Sequence, residues 1–309
     1  MAQALTKMAT VGGQVRAHWR DYYELCKPRV VALIVFTAMV GMFLSTSGLV
    51  PMHAFVFGSI GIALCAASGA AFNHVVDEKV DARMARTRGR PLPTGHLNRR
   101  VALGFAFVIG AVGMADLIWL VNPLTAWLTF ASLVGYAVVY TLFLKRATPQ
   151  NIVIGGAAGA APPVLGWTAV TGAVHPHALL LFLIIFAWTP PHFWALAIAR
   201  YRDYAEAEIP MLPVTHGVEL TRLHLLLYTI LLVVVSLLPF VTGMSGWLYL
   251  VGALGLGAGF LGQAIALMVT KDDARYAMPT FGYSIVYLMA LFAFLFADHY
   301  MPFLGSFFS

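Results

Sequence analysis

Residues 222–243 read RLHLLLYTILLVVVSLLPFVTG, an apolar run in which Arg222 is the only residue with a full charge. As a helix this run would rise about 33 Å, because each residue adds about 1.5 Å. The hydrocarbon core of a bilayer is about 30 Å thick, so the run is long enough to cross it. The stretch therefore predicts a transmembrane helix.

The rest of the chain has the same character. Of its 309 residues 60% are hydrophobic and 10% are charged, whereas soluble domains carry about 25% charged residues. We therefore predict an all-α polytopic membrane protein with a cytoplasmic segment at 1–29, a membrane domain at 30–300 and a short tail at 301–309. Nine apolar runs define its transmembrane helices, at 30–48, 53–72, 101–121, 124–144, 152–172, 178–198, 222–243, 246–269 and 280–300.

Basic residues indicate the orientation of these helices. All 19 Lys and Arg residues precede the first run or lie in or directly next to the loops after every second run. By the positive-inside rule this face is cytoplasmic, so the N-terminus is inside and the C-terminus outside. The net charge of +6 then lies at one membrane surface, where it faces anionic lipid or an anionic substrate. Nucleic acid is not an expected partner, because no soluble domain presents the charge.

The loop after the second run contains an acidic stripe. Asn73, Asp77 and Asp81 are spaced four residues apart, so they share one helix face and lie about 6 Å from one another along the axis. Mg²⁺ prefers one or two carboxylates together with substrate phosphate and water, which this spacing suits. The alternative is a solvated helix end with ordinary surface charges. We favour a metal site, because Arg83, Arg86, Arg88 and Arg90 follow at once.

A second acidic segment follows the sixth run. Alone, Asp203 would be a helix-end acid paired with Arg202, but on the same membrane side as the first stripe it becomes a candidate second magnesium ligand. Either Glu206 or Glu208 is a candidate for completing this second metal site.

The first acidic stretch, with Arg86-Thr87 and Arg90-Pro91 after it, resembles the first aspartate-rich motif of the UbiA-type intramembrane prenyltransferases. Stretches 144–163, 189–198 and 203–214 resemble the branch of that family that farnesylates heme, and the likeness covers about residues 25–295. Two positions depart from the quinone-type relatives, which usually have Asp where this chain has His74 and Ala207.

The resemblance implies a bundle of nine helices around a central cavity in the bacterial inner membrane. It implies Mg²⁺-dependent transfer of a farnesyl group from farnesyl diphosphate to a vinyl group of heme B, giving heme O for terminal oxidases. Membrane lipid and other heme-biosynthesis or oxidase-assembly proteins are the implied partners. Asn73, Asp77, Asp81 and Asp203 would act in catalysis by holding the metal. The diphosphate would bind Arg86, Arg90, Lys145, Arg146 and Arg202, although each arginine is equally a candidate membrane-surface anchor.

His192 lies in the sixth run, about two helical turns from its cytoplasmic end and next to Pro190 and Pro191. An ionisable side chain inside a membrane is a functional candidate, and neutral imidazole binds heme iron. We therefore predict that His192 binds the heme. The alternative is a hydrogen bond to backbone carbonyls that the prolines leave free.

Three other functions are alternatives. A transporter would also use helices broken by Gly and Pro, but its charged site would lie at the bilayer midplane. A scaffold for oxidase assembly would not need the acidic stripe. A related prenyltransferase with an aromatic acid or a chlorophyll-like acceptor would share the stripe, and only the resemblance favours heme.

The orientation is testable with reporter tags. We expect an N-terminal tag to report from the cytoplasm and a C-terminal tag from outside, because nine crossings separate the ends. Tags whose activity depends on the compartment measure this. Two tags reporting from the same side would require an even number of crossings.

Overall fold

The computed structural model describes the backbone of residues 19–305 and their side chains as far as residue 301. This part of the chain is helical, in agreement with the all-α prediction. Twelve helices follow one another: α1 Trp19–Leu25, α2 Pro28–Leu44, α3 Met52–Asp81, α4 Arg99–Leu120, α5 Pro123–Ala147, α6 Asn151–Thr171, α7 Pro176–Ala199, α8 Tyr201–Glu206, α9 Leu212–His216, α10 Val218–Val241, α11 Trp247–Thr270 and α12 Asp273–Gly305.

Within residues 19–305, eight helices are long and apolar enough to cross a membrane, or nine if α1 and α2, bent by 49° at their junction, form one span. The predicted apolar runs correspond to these helices with shifted ends. α2 already ends at Leu44, before a loop that contains Gly48 and Pro51. α3 continues past residue 72 to Asp81, because its last turns pack against other helices instead of entering solvent.

α2 and α6 approach until their backbones touch. A Cβ atom added at Gly166 would lie 1.9 Å from the carbonyl oxygen of Ala38, and one added at Gly41 would lie 2.2 Å from that of Pro163. Apolar side chains gain little from leaving lipid, so membrane helices associate through such close van der Waals packing. Glycine is required at both positions because a side chain has no room.

The two ends of the bundle differ in their contacts. At one end Arg222, which is buried, donates to both carboxylate oxygens of Asp273, at 2.9 and 2.8 Å, and ties α10 to α12. At the other end His299 lies 2.8 Å from the carbonyl oxygen of Thr46, in the loop between α2 and α3. Asp298 accepts hydrogen bonds from the first turn of α11. The C-terminal part of α12 is therefore at the end opposite to Asp81.

The close contact between α2 and α6 predicts that one methyl group added at Gly166 destabilises the protein. We expect Gly166→Ala to lower the free energy of unfolding by about 1–3 kcal/mol, because the helices must separate to admit the Cβ. Gly159→Ala, in the same helix, is the control, since a Cβ there would meet nothing within 4 Å. Thermal unfolding of the purified protein measures both. Equal stability of the two variants would contradict the close packing.

Candidate active site

The three side chains of the first acidic stripe share one face of α3, as predicted, and all are buried. The exposed fractions are 4% for Asn73, 2% for Asp77 and 4% for Asp81. A carboxylate loses its hydration when it is buried, which is costly unless a positive group or hydrogen-bond donors replace the water. Their burial contradicts the alternative of a solvated helix end, and it demands partners.

Three cations supply those partners from three parts of the chain. Lys27 Nζ donates to Asn73 Oδ1 at 2.5 Å, Lys145 Nζ to Asp77 Oδ2 at 2.5 Å, and Arg90 Nη1 to Asp81 Oδ2 at 2.6 Å. The contacts of Asp77 and Asp81 are ion pairs, and removing one member of a buried ion pair would leave an uncompensated charge. We call these residues the α3 charge cluster: Lys27, Asn73, Asp77, Asp81, Arg90 and Lys145.

Lys27 was not predicted as a site residue. It lies at the bend between α1 and α2 with φ of 47°, a left-handed conformation that side chains disfavour. No local pattern distinguishes Lys27 from the other basic residues near the N-terminus, so only the fold reveals its role.

α5 reaches the cluster through an irregular stretch. Residues Gly135–Leu144 form wide π-helical turns, and such turns often occur at functional sites. Thr141 donates to the carbonyl oxygen of Tyr136 at 2.7 Å and accepts from Asn73 Nδ2 at 3.4 Å. Lys145 follows one turn later. The wide turns therefore lie in the segment that brings Thr141 and Lys145 into contact with α3.

The second acidic segment packs beside the first. Met84, in the loop after α3, shares an apolar cluster with Tyr204, Ala207 and Ile209. Ala207, where quinone-type relatives usually carry Asp, is buried in this contact. The two segments also meet at Arg83 and Glu208, 3.6 Å apart, but this pair is exposed and contributes little.

The predicted ligands of this second segment are less enclosed than those of the first. Asp203 is half-buried, whereas Glu206 and Glu208 are exposed. Within residues 19–305, no three His, Cys, Asp or Glu side chains lie close enough together to hold a metal ion. The structure therefore brings the two segments side by side without bringing Asp203 into the α3 charge cluster.

The predicted phosphate-binding cations divide into two groups. Arg90 and Lys145 are partly buried and belong to the α3 charge cluster, whereas Arg86, Arg146 and Arg202 are exposed. Exposed arginines at this end of the bundle also suit the membrane-anchor interpretation.

Two further buried polar side chains, which were not predicted as site residues, have unpaired atoms. His74 is 2% exposed, and both of its ring nitrogens lack a partner among the described residues. Asn151, at the start of α6, donates to the carbonyl oxygen of Thr148 at 2.7 Å, while its Oδ1 is buried and unpaired. His74 stands out in the sequence only because quinone-type relatives usually have Asp at that position. Asn151 lies outside the two acidic segments, and no sequence pattern marks it.

The α3 charge cluster has the chemistry of a magnesium–diphosphate site. Asp77 Oδ1 is buried without a hydrogen-bond partner, so one carboxylate oxygen is available. Mg²⁺ in phosphate-binding sites needs one or two carboxylates, because phosphate oxygens and water complete its shell. Asn73, Asp77 and Asp81 fit that requirement without a third acid. The neighbouring cations fit the phosphates.

His192 lies apart from the cluster, between α7 and α12. Its Nδ1 is 2.6 Å from the hydroxyl of Ser284, and its ring stacks on Trp188 at 4.2 Å between centroids and on Phe281 at 4.5 Å. The side chain is 8% exposed. The expected alternative, a hydrogen bond to carbonyls freed by Pro190 and Pro191, is not what the structure shows.

The fold is a helical membrane bundle, and its site is a buried acidic stripe with basic partners at one end. Fold and site together indicate a class of protein, and comparison with known proteins identifies that class. The family model "UbiA prenyltransferase family" matches residues 34–286, so the chain belongs to that family. Solved structures show the same fold. A solved structure of digeranylgeranylglyceryl phosphate synthase superposes on this chain with a TM-score of 0.76 at 15% sequence identity, and the match covers 91% of this chain and 98% of that one. A UbiA homologue from Archaeoglobus fulgidus bound to DMAPP and Mg²⁺ gives 0.60 at 18%, covering 89% and 99%.

Within the family, highly similar relatives bear one particular name. The protein named protoheme IX farnesyltransferase from Nitrosococcus oceani is 62% identical over 96% of this chain and 99% of its own length. Those of the same name from Hahella chejuensis and Marinobacter nauticus are 63% and 65% identical, over 95% and 92% of this chain and 98% and 93% of their own lengths.

The two neighbouring cations of α5 provide a matched pair of variants. We expect Lys145→Ala to weaken Mg²⁺-dependent binding of a prenyl diphosphate at least about tenfold, because a charge-assisted hydrogen bond contributes about 1.5–3 kcal/mol. Arg146→Ala, which changes an exposed side chain, should alter the affinity less than about twofold. Calorimetric titration measures both. Equal losses would mean that general surface charge holds the diphosphate.

Proposed function

We propose that this protein transfers a farnesyl group from farnesyl diphosphate to a vinyl group of heme B, which yields heme O. The observation that carries this proposal is the α3 charge cluster, which gathers buried carboxylates and three cations at one end of an apolar bundle. The assignment of farnesyl and heme is supported by relatives of this name at 60–65% identity over nearly the whole chain.

Prenyl transfer requires the diphosphate to leave an allylic carbon. Negative charge then grows on the leaving oxygens while positive charge spreads over the allyl group. Lys27, Arg90 and Lys145, which lie beside the stripe, would bind and stabilise the leaving diphosphate, the arginine with two donors at once. The apolar bundle would hold the farnesyl chain and keep water from the cation.

The proposed cofactor is Mg²⁺. Asn73, Asp77 and Asp81 would hold it, and Asp203, with Glu206 or Glu208, would bind Mg²⁺ at a second site in the second acidic segment. The ion would act as a Lewis acid that neutralises charge on the diphosphate. A structural relative with Mg²⁺ and DMAPP bound shares the fold, which supports this assignment. The exposed Arg86, Arg146 and Arg202 would guide the anionic substrate from the surface or anchor the protein to lipid.

The proposed acceptor site includes His192. Its imidazole is the heme-iron ligand in this scheme, and axial ligation would orient the porphyrin so that a vinyl group faces the allylic carbon. Its position between α7 and α12, in contact with aromatic rings, suits a planar apolar ligand.

We also propose nine crossings, with α1 and α2 forming the first, in a bacterial inner membrane with the N-terminus inside. The basic loops and the placement of Asp81 and His299 at opposite ends of the bundle support this arrangement. In the proposed division, residues 30–300 form the membrane domain. The segment 1–29 lies largely outside the described residues, and α12 extends through Gly305 into the proposed tail. Membrane lipid and other heme-biosynthesis or oxidase-assembly proteins are the proposed partners.

A single incubation tests the reaction. Purified protein is mixed with Mg²⁺, farnesyl diphosphate and heme B, and the products are analysed by mass spectrometry. We expect farnesylated heme, and its loss when EDTA removes the metal. Parallel incubations with an aromatic acid or a chlorophyll-like acceptor test the related prenyltransferase functions. Product from one of these acceptors but not from heme would overturn the proposal.

The acidic stripe can be tested with a charge-matched control. We expect Asp77→Asn and Asp81→Asn each to lower turnover by more than about 100-fold, because each removes a proposed ligand for the charge-neutralising ion. Glu78→Gln makes the same chemical change in the same helix at a partly exposed side chain 3.9 Å from Arg99, and it should keep most activity.

Turnover is compared with thermal stability, so that a folding defect is recognised. Near-normal Mg²⁺-dependent activity of a folded Asp77→Asn protein would refute the metal assignment.

A further inference from the structure

A hydrogen-bonded unit joins α7 to α12 around His192. The Nδ1 atom of His192 lies 2.6 Å from Ser284 Oγ, and Ser284 Oγ donates to the carbonyl oxygen of Phe281 at 2.6 Å. Trp188 Nε1 donates to the carbonyl oxygen of Ser284 at 2.7 Å. Ser284 is completely buried, and Trp188 and His192 are 6% and 8% exposed. We call Trp188, His192 and Ser284 the α7–α12 unit.

The direction of these hydrogen bonds determines the imidazole tautomer. A serine hydroxyl has one proton, and Ser284 gives it to the carbonyl oxygen of Phe281. Ser284 Oγ can therefore only accept from His192, so Nδ1 carries the hydrogen. In neutral imidazole the lone pair then lies on Nε2.

The surroundings leave Nε2 available and fix its direction. Among the described residues, the Nε2 atom of His192 has no hydrogen-bond partner, and this atom is not fully enclosed by the protein. Trp188 and Phe281 stack on the imidazole with interplanar angles of 18° and 25°. Two nearly parallel rings at these distances must occupy opposite faces of the imidazole. Its plane is therefore held between them.

We infer that Ser284 is a positioning residue for the heme acceptor, which holds His192 in the tautomer whose Nε2 binds the iron. This inference rests on the proposed function, since heme is the ligand. Metal-ligating histidines generally donate their other ring N–H to a fixed acceptor, which sets the tautomer and raises the basicity of the ligand. Ser284 is that acceptor here.

The test is a heme B titration of the full-length protein, followed by absorption spectroscopy. Ser284→Ala should weaken heme affinity about 10–100-fold and shift the heme spectrum. Ser284→Thr keeps the hydroxyl and should restore both. Ser236→Ala is the matched control, because it removes an equally buried hydroxyl whose partner is Tyr287, 2.7 Å away, and which does not touch His192. Farnesyl diphosphate binding should stay unchanged in all variants.

A second series separates positioning from structure. In a His192→Ala background, Ser284→Ala should have no further effect on heme affinity, because the residue acts through His192. An unchanged spectrum in Ser284→Ala, or an equal loss of affinity in both backgrounds, overturns the inference. If Ser284→Ala does not fold, Ser284→Cys, with a weaker acceptor of similar size, is measured in its place.

The inference and the proposed function fail in different ways. A wild-type protein that makes farnesylated heme, while His192→Ala keeps the wild-type heme spectrum, refutes the role of the α7–α12 unit alone. A wild-type protein that neither binds heme nor forms the product refutes both.

Discussion

Carboxylates in a protein surrounded by lipid must find positive partners inside the protein, and this constraint organises one whole end of the bundle. Asp77 and Asp81 are almost completely buried, and their charges are matched by Lys145 and Arg90. These partners come from α5 and from the loop after α3, while Lys27 reaches Asn73 from the bend before α2. The pairing therefore fixes three segments relative to α3: the bend before α2, the loop after α3 and the end of α5.

Two local irregularities in the helices lie next to this buried stripe. The left-handed backbone of Lys27 and the wide turns of Gly135–Leu144 both depart from regular helix, and both lie in segments that contact Asn73. Unfavourable backbone geometry persists only when surrounding contacts stabilise it, and here the contacts are hydrogen bonds to a buried stripe, one from the ammonium group of Lys27 and one with the hydroxyl of Thr141. The same buried charges that constrain the fold are those that a diphosphate and its metal ion would engage.

The bundle separates two kinds of chemistry. The α3 charge cluster is ionic, whereas the α7–α12 unit is neutral and aromatic, with hydrogen bonds that leave one imidazole nitrogen available. In the proposed reaction the anionic diphosphate would occupy the first environment and the planar porphyrin the second. In that proposal the breaking carbon–oxygen bond of the prenyl diphosphate and the carbon acceptor would meet in the apolar interior of the bundle, away from water.

Sequence by itself determined the helical membrane class, the approximate positions of the helices and the common face of Asn73, Asp77 and Asp81. These follow from local properties, namely the length of apolar runs and the period of the helix. Only tertiary structure decided that the stripe is buried, that Lys27 belongs to it and that Arg86, Arg146 and Arg202 remain exposed. It also decided that His192 bonds Ser284, which lies 92 positions further along the chain, and not the carbonyls near Pro190 and Pro191. Partners so distant in sequence are chosen by how the helices pack, and no local pattern contains that information.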